Sequence, residues 1–199
     1  MRRIKTYLSI DLDYWRYRKD PQPCTTFFQQ VWGLQLPIYV VMYHHHLLPH
    51  INAHDCDILI NVDYHSDLAD LEPGRILDFN EGTWANFVDW RCVGRFIWRY
   101  PASECLSGGT GYCHSNHNPF LERGVASWKC VQKRVGLWGI PWKHITAVGV
   151  SVSPDWIGPA ETLAEPIRQL HIGRWIADFN RARDHAQSPR RHQPKFVRV

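Results

Sequence analysis

Three side chains that bind metal ions stand at alternate positions in the chain: Asp63, His65 and Asp67. They begin three residues after the apolar run 58–60, which predicts a buried strand. Two carboxylates with one imidazole suit a borderline-hard divalent cation such as Mn²⁺, and the motif contains no thiolate that would favour zinc. Taken alone, the triplet is equally compatible with a polar strand end that faces water.

Two further strand ends carry residues of the same kind. Asp11 and Asp13 follow the apolar run 7–10, and three histidines, 44–46, follow the run 38–42. Two carboxylates at the end of one buried strand repel each other and resist desolvation unless a cation lies nearby. Each cluster has an alternative reading, since the Asp pair could cap a helix and a histidine could be a core residue. Three such strand ends together favour one shared metal site.

The apolar runs predict the elements that must position these residues. Strand-like runs occur at 6–12, 38–43, 57–63, 74–79, 93–98 and 145–152, and helix-like segments at 25–32, 45–53, 83–90 and 160–184. Near-continuous apolar strands that alternate with helices predict an α/β fold, a three-layer sandwich with a mostly parallel central sheet. Ligands of such sheets bind outside the carboxyl ends of the strands, where all three clusters occur.

Composition narrows the class of protein. The 199 residues, 44% of them hydrophobic, predict a single globular domain over 1–184, followed by a basic, irregular C-terminal tail over 185–199. The net charge of +4 gathers near the ends of the chain without a recognisable nucleic-acid-binding module, so we expect no nucleic-acid partner. Without a signal peptide, an apolar run of about 20 residues or a regular cysteine framework, the chain is expected to be soluble and cytoplasmic, with no membrane partner.

A loop rich in glycine and asparagine is predicted over 107–119. Its glycines do not match a phosphate-binding fingerprint. Cys113, His114 and His117 could bind zinc, but a fourth ligand of clear spacing is missing. We therefore expect a flexible loop over the site.

The three clusters together resemble the binuclear manganese site of arginases and other ureohydrolases. The chain differs from a typical arginase because it is shorter, its Asp-x-Asp pair comes first, and the usual Gly-Gly-Asp-His segment is replaced by 42–46. In these respects it is similar to the small peptide arginases of bacterial ribosomal-peptide (RiPP) maturation pathways. The segments 9–15, 44–51, 61–68 and 81–84 carry the resemblance, and 150–156 adds a further strand end.

The resemblance implies a function and a set of site residues. It implies an arginase-like sheet with altered strand order and a cytoplasmic hydrolase that converts arginine residues of a precursor peptide to ornithine, releasing urea. The implied cofactor is two Mn²⁺ ions that share a hydroxide, bridged by Asp63 and Asp11. The implied metal ligands are Asp11, Asp13, His44, Asp63, His65 and Asp67. Alignment with the classical arginase segment would favour His46 over His44.

The substrate is a cation, so an unpaired acceptor must orient it. Glu81 is predicted to act with Asp63 as a catalytic residue and to hold the guanidinium in a planar fork, although it could equally serve a helix N-terminus. Trp84 and Trp15 are predicted to contact substrate, and Trp156 also lies close to motif residues, as an open groove for a peptide would require. The proton shuttle is left open among His114, His117 and Asp155, as is the oligomeric state.

Two alternatives keep the cluster but change its role. One is a zinc-dependent deacetylase or amidohydrolase on the same fold, against which the second Asp-x-Asp pair argues because those sites use fewer carboxylates. The other is a non-enzymatic peptide-binding module with a structural metal ion. Metal content and activity on acetyl-lysine peptides would separate them.

Overall fold

A computed structural model describes residues 3–15, 23–68, 79–101, 131–157, 168, 170 and 197–198. Its strands are β1 (Thr6–Asp11), β2 (Ile38–Val41), β3 (Ile58–Val62), β4 (Arg95–Tyr100), β5 (Val131–Val135), β6 (Ile145–Ser151) and β7 (Val197–Arg198). The helices are α1 (Cys24–Gly33) and α2 (Leu48–His54), with 3₁₀ turns at Leu12–Trp15, His44–Leu47, Trp84–Phe87 and Trp142–His144. These elements form one seven-stranded sheet with helices packed against it.

The sheet has the strand order β5-β4-β3-β1-β6-β2-β7. All neighbouring pairs among β1 to β6 are parallel, and only the two-residue β7 runs antiparallel, against β2. The predicted α/β class with a mostly parallel sheet is therefore confirmed. Two residues of the predicted irregular tail, 197–198, add the edge strand β7.

Alternate side chains of β1 enter two separate cores. Leu8 and Ile10 pack with residues of α1, including Phe27 and Phe28, on one face of the sheet. Tyr7 packs with Ile51 of α2 on the other face. Because successive side chains of a strand point to opposite faces, a sheet covered on both sides needs apolar residues at nearly every position. The outcome is the predicted three-layer sandwich.

The order of the connections creates a crevice at the end of β1. From β1 the chain passes through α1 to β2 on one side, and from β2 it returns through α2 to β3 on the other side of β1. The two helices lie on opposite faces, as right-handed crossovers in opposite directions require. Where the direction of winding reverses, the connections diverge and leave an opening outside the carboxyl ends of the strands. Asp11 is the last residue of β1 and stands at this opening.

Gly149 of β6 makes room for the turn that carries the histidines. A Cβ atom at this position would lie 2.6 Å from the Tyr7 hydroxyl and 2.7 Å from a terminal carbon of Leu47. Leu47 is fully buried and ends the 3₁₀ turn that begins at His44. A larger residue at 149 would have to push the ends of both side chains aside, so the glycine lets Leu47 pack against the sheet next to His44.

Most elements predicted within the described residues are found; one predicted helix is not, and the strands β5 and β7 were not predicted. Each apolar run at 6–12, 38–43, 57–63, 93–98 and 145–152 contains a strand, and the segments 25–32 and 45–53 contain α1 and α2. The strand β5 was not predicted, because its centre is the polar sequence Gln132-Lys133-Arg134; among the described strands it pairs only with β4. Residues 74–78 of the predicted run 74–79, and all of the segment 160–184 except 168 and 170, lie outside the described residues.

The helix predicted over 83–90 is instead a single 3₁₀ turn, Trp84–Phe87. Side chains compete here for the backbone groups that would continue a helix. The Asn86 amide donates to the carbonyl of Thr83, and the Asp89 N–H is bound by the Asn52 side chain at 2.8 Å. Val88 is extended as a result, and the chain turns away after one turn.

Candidate metal centre

The end of β1 supplies two carboxylates that face one cavity. Asp11 closes the strand, and Asp13 lies in the 3₁₀ turn that follows it. The Asp13 N–H donates to Asp11 Oδ1 at 3.0 Å, which bends the chain so that both side chains reach the same space. The other oxygen of Asp11 accepts a hydrogen bond from the Ser153 hydroxyl at 2.5 Å. Both carboxylates are almost completely buried, with 4% and 2% of the residue exposed.

The chain stops being extended directly after β3, and this bend brings the Asp-x-His-x-Asp residues together. The Asp63 N–H continues the ladder to the carbonyl of Arg99, but the His65 N–H already turns back to Asp63 Oδ1 at 2.8 Å. Asp67 has a φ of +53°, a left-handed conformation that L-residues rarely adopt. Its carboxylate is held by the buried indole N–H of Trp84. In a straight strand, each of the three side chains would be separated from the next by the rise of two residues. The bend instead brings the three side chains together.

His44 lies in the middle of three of these carboxylates. Its Nδ1 is 2.8 Å from Asp63, 2.9 Å from Asp67 and 3.3 Å from Asp11. Although the distances are short, Nδ1 makes no hydrogen bond of favourable geometry with any side chain of the described ranges. The opposite ring nitrogen, Nε2, lies 2.7 Å from the Ser9 hydroxyl. A histidine that binds a metal through one nitrogen is usually held through the other in this way.

The spacing of these atoms fits a bound divalent ion. Ligand atoms about 2.1 Å from an octahedral ion and at right angles to each other lie about 3 Å apart. Nδ1 of His44 and the carboxylate oxygens around it have this separation. Asp11, His44 and Asp63 form one group of donors that could hold an ion.

A second group of donors shares Asp63 with the first. It consists of Asp13, Asp63 and His65, whose ligand atoms lie within 4.8 Å of one another. His65 Nδ1 is 3.0 Å from Asp13 Oδ2, and Asp13 Oδ1 accepts the N–H of Tyr64 at 3.2 Å. The structure thus brings all six sequence-predicted ligands into one cluster, and Asp63 belongs to both groups. Asp11, the other predicted bridge, belongs only to the His44 group.

The charges of the cluster are unbalanced without a cation. Burial first, and then repulsion from Asp67, raises the pKa of Asp63 to about 7. Burial and the neighbouring Asp11 and Asp63 raise the pKa of Asp13 well above its ordinary value. Four buried carboxylates face two imidazoles, so one or two divalent ions would remove most of the repulsion.

The carboxylates of the cluster also change the pKa values of its two imidazoles. Burial alone would lower the pKa of His44, but its contacts with Asp11, Asp63 and Asp67 outweigh burial and raise that pKa well above the usual range. For His65, burial is likewise outweighed by Asp13, which raises the pKa to about 9. Both rings therefore lie in a strongly negative potential, which is the potential that attracts a metal cation.

Only one of the three consecutive histidines reaches the cluster. His44 is 1% exposed, whereas His45 and His46 are partly exposed and pack on Tyr43 at the rim. His45 Nδ1 lies 3.7 Å from the carboxylate of Glu81. The geometry thus favours His44 over His46 as the sixth candidate ligand.

The cluster opens into a cavity of about 310 Å³. Its lining residues are Asp11, Asp13, Asp63, His65, Ser66, Asp67, Glu81, Gly82, Ser153 and Trp156. The predicted clamp Glu81 is among them. The cavity therefore joins the candidate ligands to an acidic side chain that a substrate could contact.

The predicted substrate contacts of Trp15 and Trp84 do not fit their positions. Trp15 is 2% exposed and packs on Phe27 and Phe28 beneath α1. Trp84 is fully buried, donates to Asp67 and lies with its ring centre 4.6 Å from that of His44. Neither indole lines the cavity, because both follow sharp turns that direct them into the core. Trp84 supports the cluster instead of facing substrate.

Sequence reasoning noted Trp156 only as a tryptophan near the motifs, and it missed the roles of two serines. Trp156 is 41% exposed, lines the cavity and contacts the ring of His65 edge-on at 5.8 Å. Ser9 and Ser153 bind candidate ligands through their hydroxyls. The signal for Ser153 was its place two residues after an apolar strand, as with the Asp-x-Asp pair, but a serine there has no distinctive chemistry in sequence.

Two groups of earlier candidates remain untested by the structure. Cys113, His114 and His117 lie outside the described residues, as does the whole loop 107–119. Asp155 is described and is exposed in the turn between Ser153 and Trp156.

In the part of the chain that the structure describes, no helix has the length and apolar character needed to span a membrane.

Comparison of the chain with models of protein families, with curated proteins and with solved structures found no match. The resemblance to ureohydrolases therefore remains a hypothesis.

Proposed function

We propose that the protein is a metal-dependent peptide arginase, which hydrolyses the guanidinium of arginine residues within a peptide to ornithine and urea. The observation that carries the proposal is a pair of donor groups that share the buried Asp63 and whose carboxylates line one acidic cavity with Glu81. Water adds to the guanidinium carbon, the bond from that carbon to Nε breaks, and the released side-chain amine takes up a proton. The products balance as one urea for each water consumed.

The donors support two Mn²⁺ ions as the cofactor. Asp11, His44, Asp63 and Asp67 surround one position, and Asp13 and His65 complete a second with Asp63. Divalent ions supply charge stabilisation and lower the pKa of water, which a weak electrophile such as guanidinium requires. A set of four carboxylates and two imidazoles suits Mn²⁺ better than zinc.

The cavity wall supports a guanidinium as the group that is bound. Glu81 can accept two N–H groups of a planar guanidinium in a fork, which gives both affinity and alignment. The half-exposed indole of Trp156 offers a face on which a guanidinium can stack. A planar cation is thus matched by one carboxylate and one aromatic ring, beside the cluster that would activate water.

Large exposed side chains beside the cavity support a peptide instead of a free amino acid. Phe79 is 47% exposed, stands two residues before Glu81 and contacts Phe87 and His45 edge-on at 5.1 and 5.3 Å. Trp156, from a distant part of the sequence, is also exposed and lines the cavity. Aromatic surfaces that extend beyond the reacting group give the flanking residues of a peptide something to contact.

We also propose that the reaction takes place in a reducing cytoplasm. Within the described ranges Cys24, Cys56 and Cys92 are free thiols. Burial raises the pKa of Cys56 to about 12, so its thiol stays protonated and behaves as a small apolar core residue. Free thiols of this kind are usual where disulfides do not form.

The direct test is to incubate the Mn²⁺-loaded protein with arginine-containing peptides and to measure peptide mass and released urea. We expect a loss of CH₂N₂ for each arginine that reacts, together with one equivalent of urea. Glu81→Gln should keep its metal but lose kcat/KM by about 10- to 100-fold or more, because a charged hydrogen bond to the substrate is lost. Asp55→Asn is the matched control, since it removes an exposed carboxylate at the end of α2.

Two results would contradict the proposal in different ways. If folded, metal-loaded protein changed neither any arginine peptide nor any free guanidino compound, the ureohydrolase reading would be wrong. One bound zinc with activity on acetyl-lysine peptides would indicate the deacetylase alternative. Normal turnover by Glu81→Gln would remove only the assignment of the clamp.

A further inference from the structure

Two serines at the end of β6 lie next to the metal centre without a role in the function proposed above. Ser151 closes β6 and pairs in register with Asp11 of β1. Ser153 follows two residues later, and its N–H is bound by the carbonyl of Met42 at 2.8 Å. Both serines are buried, and only Ser153 lines the cavity. Their hydroxyls are therefore committed to partners inside the protein.

The hydroxyls form a chain that ends on Asp11. Ser151 Oγ is 2.9 Å from Ser153 Oγ, which is 2.5 Å from Asp11 Oδ2. A carboxylate can only accept, so Ser153 donates its single proton to Asp11 and accepts from Ser151. Because the Asp13 N–H already occupies Asp11 Oδ1, both oxygens of this carboxylate are held in place.

The backbone of Ser153 is in a conformation that serine rarely adopts. Its φ is +44°, where a Cβ atom is strained and glycine is the usual residue. A strained residue that persists next to a site is a reason to look for what its side chain contributes. Here the contribution is a short, charge-assisted hydrogen bond to a candidate metal ligand.

We propose that Ser153 is a positioning residue for the metal centre: it holds Asp11 so that Oδ2 faces His44, the residue with which Asp11 would hold an ion. The oxygen that Ser153 binds is the one that lies 3.3 Å from His44 Nδ1. Without the hydroxyl, the Asp11 side chain can rotate away, and the first donor group loses one of its members. Ser151 acts through Ser153 by fixing the direction of its proton. The proposal rests on the metal centre of the proposed function but not on its substrate.

The test compares Ser153→Gly with wild type in Mn²⁺ binding and in stability of the metal-free protein. Glycine removes the hydrogen bond but relieves the positive φ, and because these two effects oppose each other we expect only a small change in metal-free stability. We expect Mn²⁺ affinity to fall by about 10- to 100-fold, the usual effect of losing a partner that orients a ligand. In a stepwise titration, the ion held by Asp11 and His44 should be weakened more than the ion held by Asp13 and His65.

A matched control separates the hydroxyl from the backbone. Gln35 is exposed, lies just after α1 and has a φ of +53°, so Gln35→Gly relieves a similar strain without touching the cluster. It should be at least as stable as wild type and should bind Mn²⁺ normally. Ser151→Ala should weaken Mn²⁺ binding less than Ser153→Gly does, because the hydrogen bond to Asp11 remains.

The measurements on Ser153→Gly decide whether Ser153 positions a metal ligand. Unchanged Mn²⁺ affinity in Ser153→Gly would overturn the proposal, as would a large loss of metal-free stability or a failure to fold, since either would mean a structural role. If the unmodified protein binds Mn²⁺ but hydrolyses no arginine peptide, the proposed function fails. The role of Ser153 is then still decided by the affinity measurements alone.

Discussion

Replacing Asp63 with asparagine should change stability in opposite directions with and without metal. Asp63 is 1% exposed, belongs to both donor groups and lies 2.8 Å from His44. Asparagine keeps the shape and the oxygen that accepts the His65 N–H, but it removes the negative charge. The substitution therefore isolates the charge at the centre of the cluster.

The size of the effect in the metal-free protein follows from the pKa of Asp63. A rise from the ordinary value of 3.8 to about 7 corresponds to ~4 kcal/mol of unfavourable free energy once the group is ionised. The new amide would face the side-chain amide of Asn61, 3.3 Å away, and a mismatched buried donor costs ~1–3 kcal/mol. At pH 8.5 the metal-free variant should therefore be more stable than wild type by ~1–3 kcal/mol.

Bound Mn²⁺ should reverse the order of stability of wild type and Asp63→Asn. Loss of a ligand shared by two ions should weaken Mn²⁺ binding by more than the ~10- to 100-fold that losing an orienting partner costs. Wild type at a free Mn²⁺ concentration 1,000 times its Kd gains ~4 kcal/mol of stability, most of which the variant would not gain. In saturating Mn²⁺ the wild type should therefore be the more stable protein.

Urea unfolding at pH 8.5, with chelator and with Mn²⁺, measures both values. Asp55→Asn is the control, because it makes the same chemical change at an exposed position with a φ of +52°, which asparagine tolerates. It should shift the free energy of unfolding by no more than about 0.5 kcal/mol in either condition. If Asp63→Asn destabilised the metal-free protein as well, the reasoning about unbalanced charge would be refuted.

Three further predictions concern the same cluster. The folded-state pKa values of Asp63 (about 7) and His65 (about 9) are raised, so both groups favour the folded state at low pH. The metal-free protein should therefore lose stability as the pH rises from about 4 to 9. Thermal melts should show a smaller dependence on pH when Mn²⁺ is bound. His44→Ala should weaken Mn²⁺ binding by about 100-fold or more and His46→Ala by less than about twofold in equilibrium dialysis, and equal effects would contradict the choice of His44. Asp67→Asn should be more stable than Asp67→Ala by ~1–2 kcal/mol in metal-free urea unfolding, because asparagine tolerates the φ of +53° and can still accept from Trp84.

The strand-end position of the candidate ligands was predictable because it depends on local pattern. Apolar runs that end in Asp11 and Asp63 identify buried strands, and parallel strands place their carboxyl ends on one edge of the sheet. The sequence does not reveal that β1 pairs directly with β3, which is what brings Asp13 within 3.0 Å of His65. That adjacency depends on the winding order of the whole chain.

Residues whose role depends on tertiary packing were the ones that sequence could not assign. Trp84 and Trp15 stand near the motifs in sequence, but turns direct both indoles into the core, whereas Trp156 lines the cavity. Ser153 has a role only because β6 pairs with β1 and sets its hydroxyl against Asp11. A serine after a strand gives no sign of this in sequence, because its chemistry is common and its partner is 142 positions away.

The most direct test of the central claim is the number of Mn²⁺ ions bound per chain, measured by equilibrium dialysis of the chelator-treated protein, with wild type and Asp63→Asn side by side. Two donor groups that share Asp63 predict two ions per wild-type chain, and the loss of both from the variant at the same free Mn²⁺. Binding of no ion by folded wild type, or two ions retained by Asp63→Asn with unchanged affinity, would contradict the account.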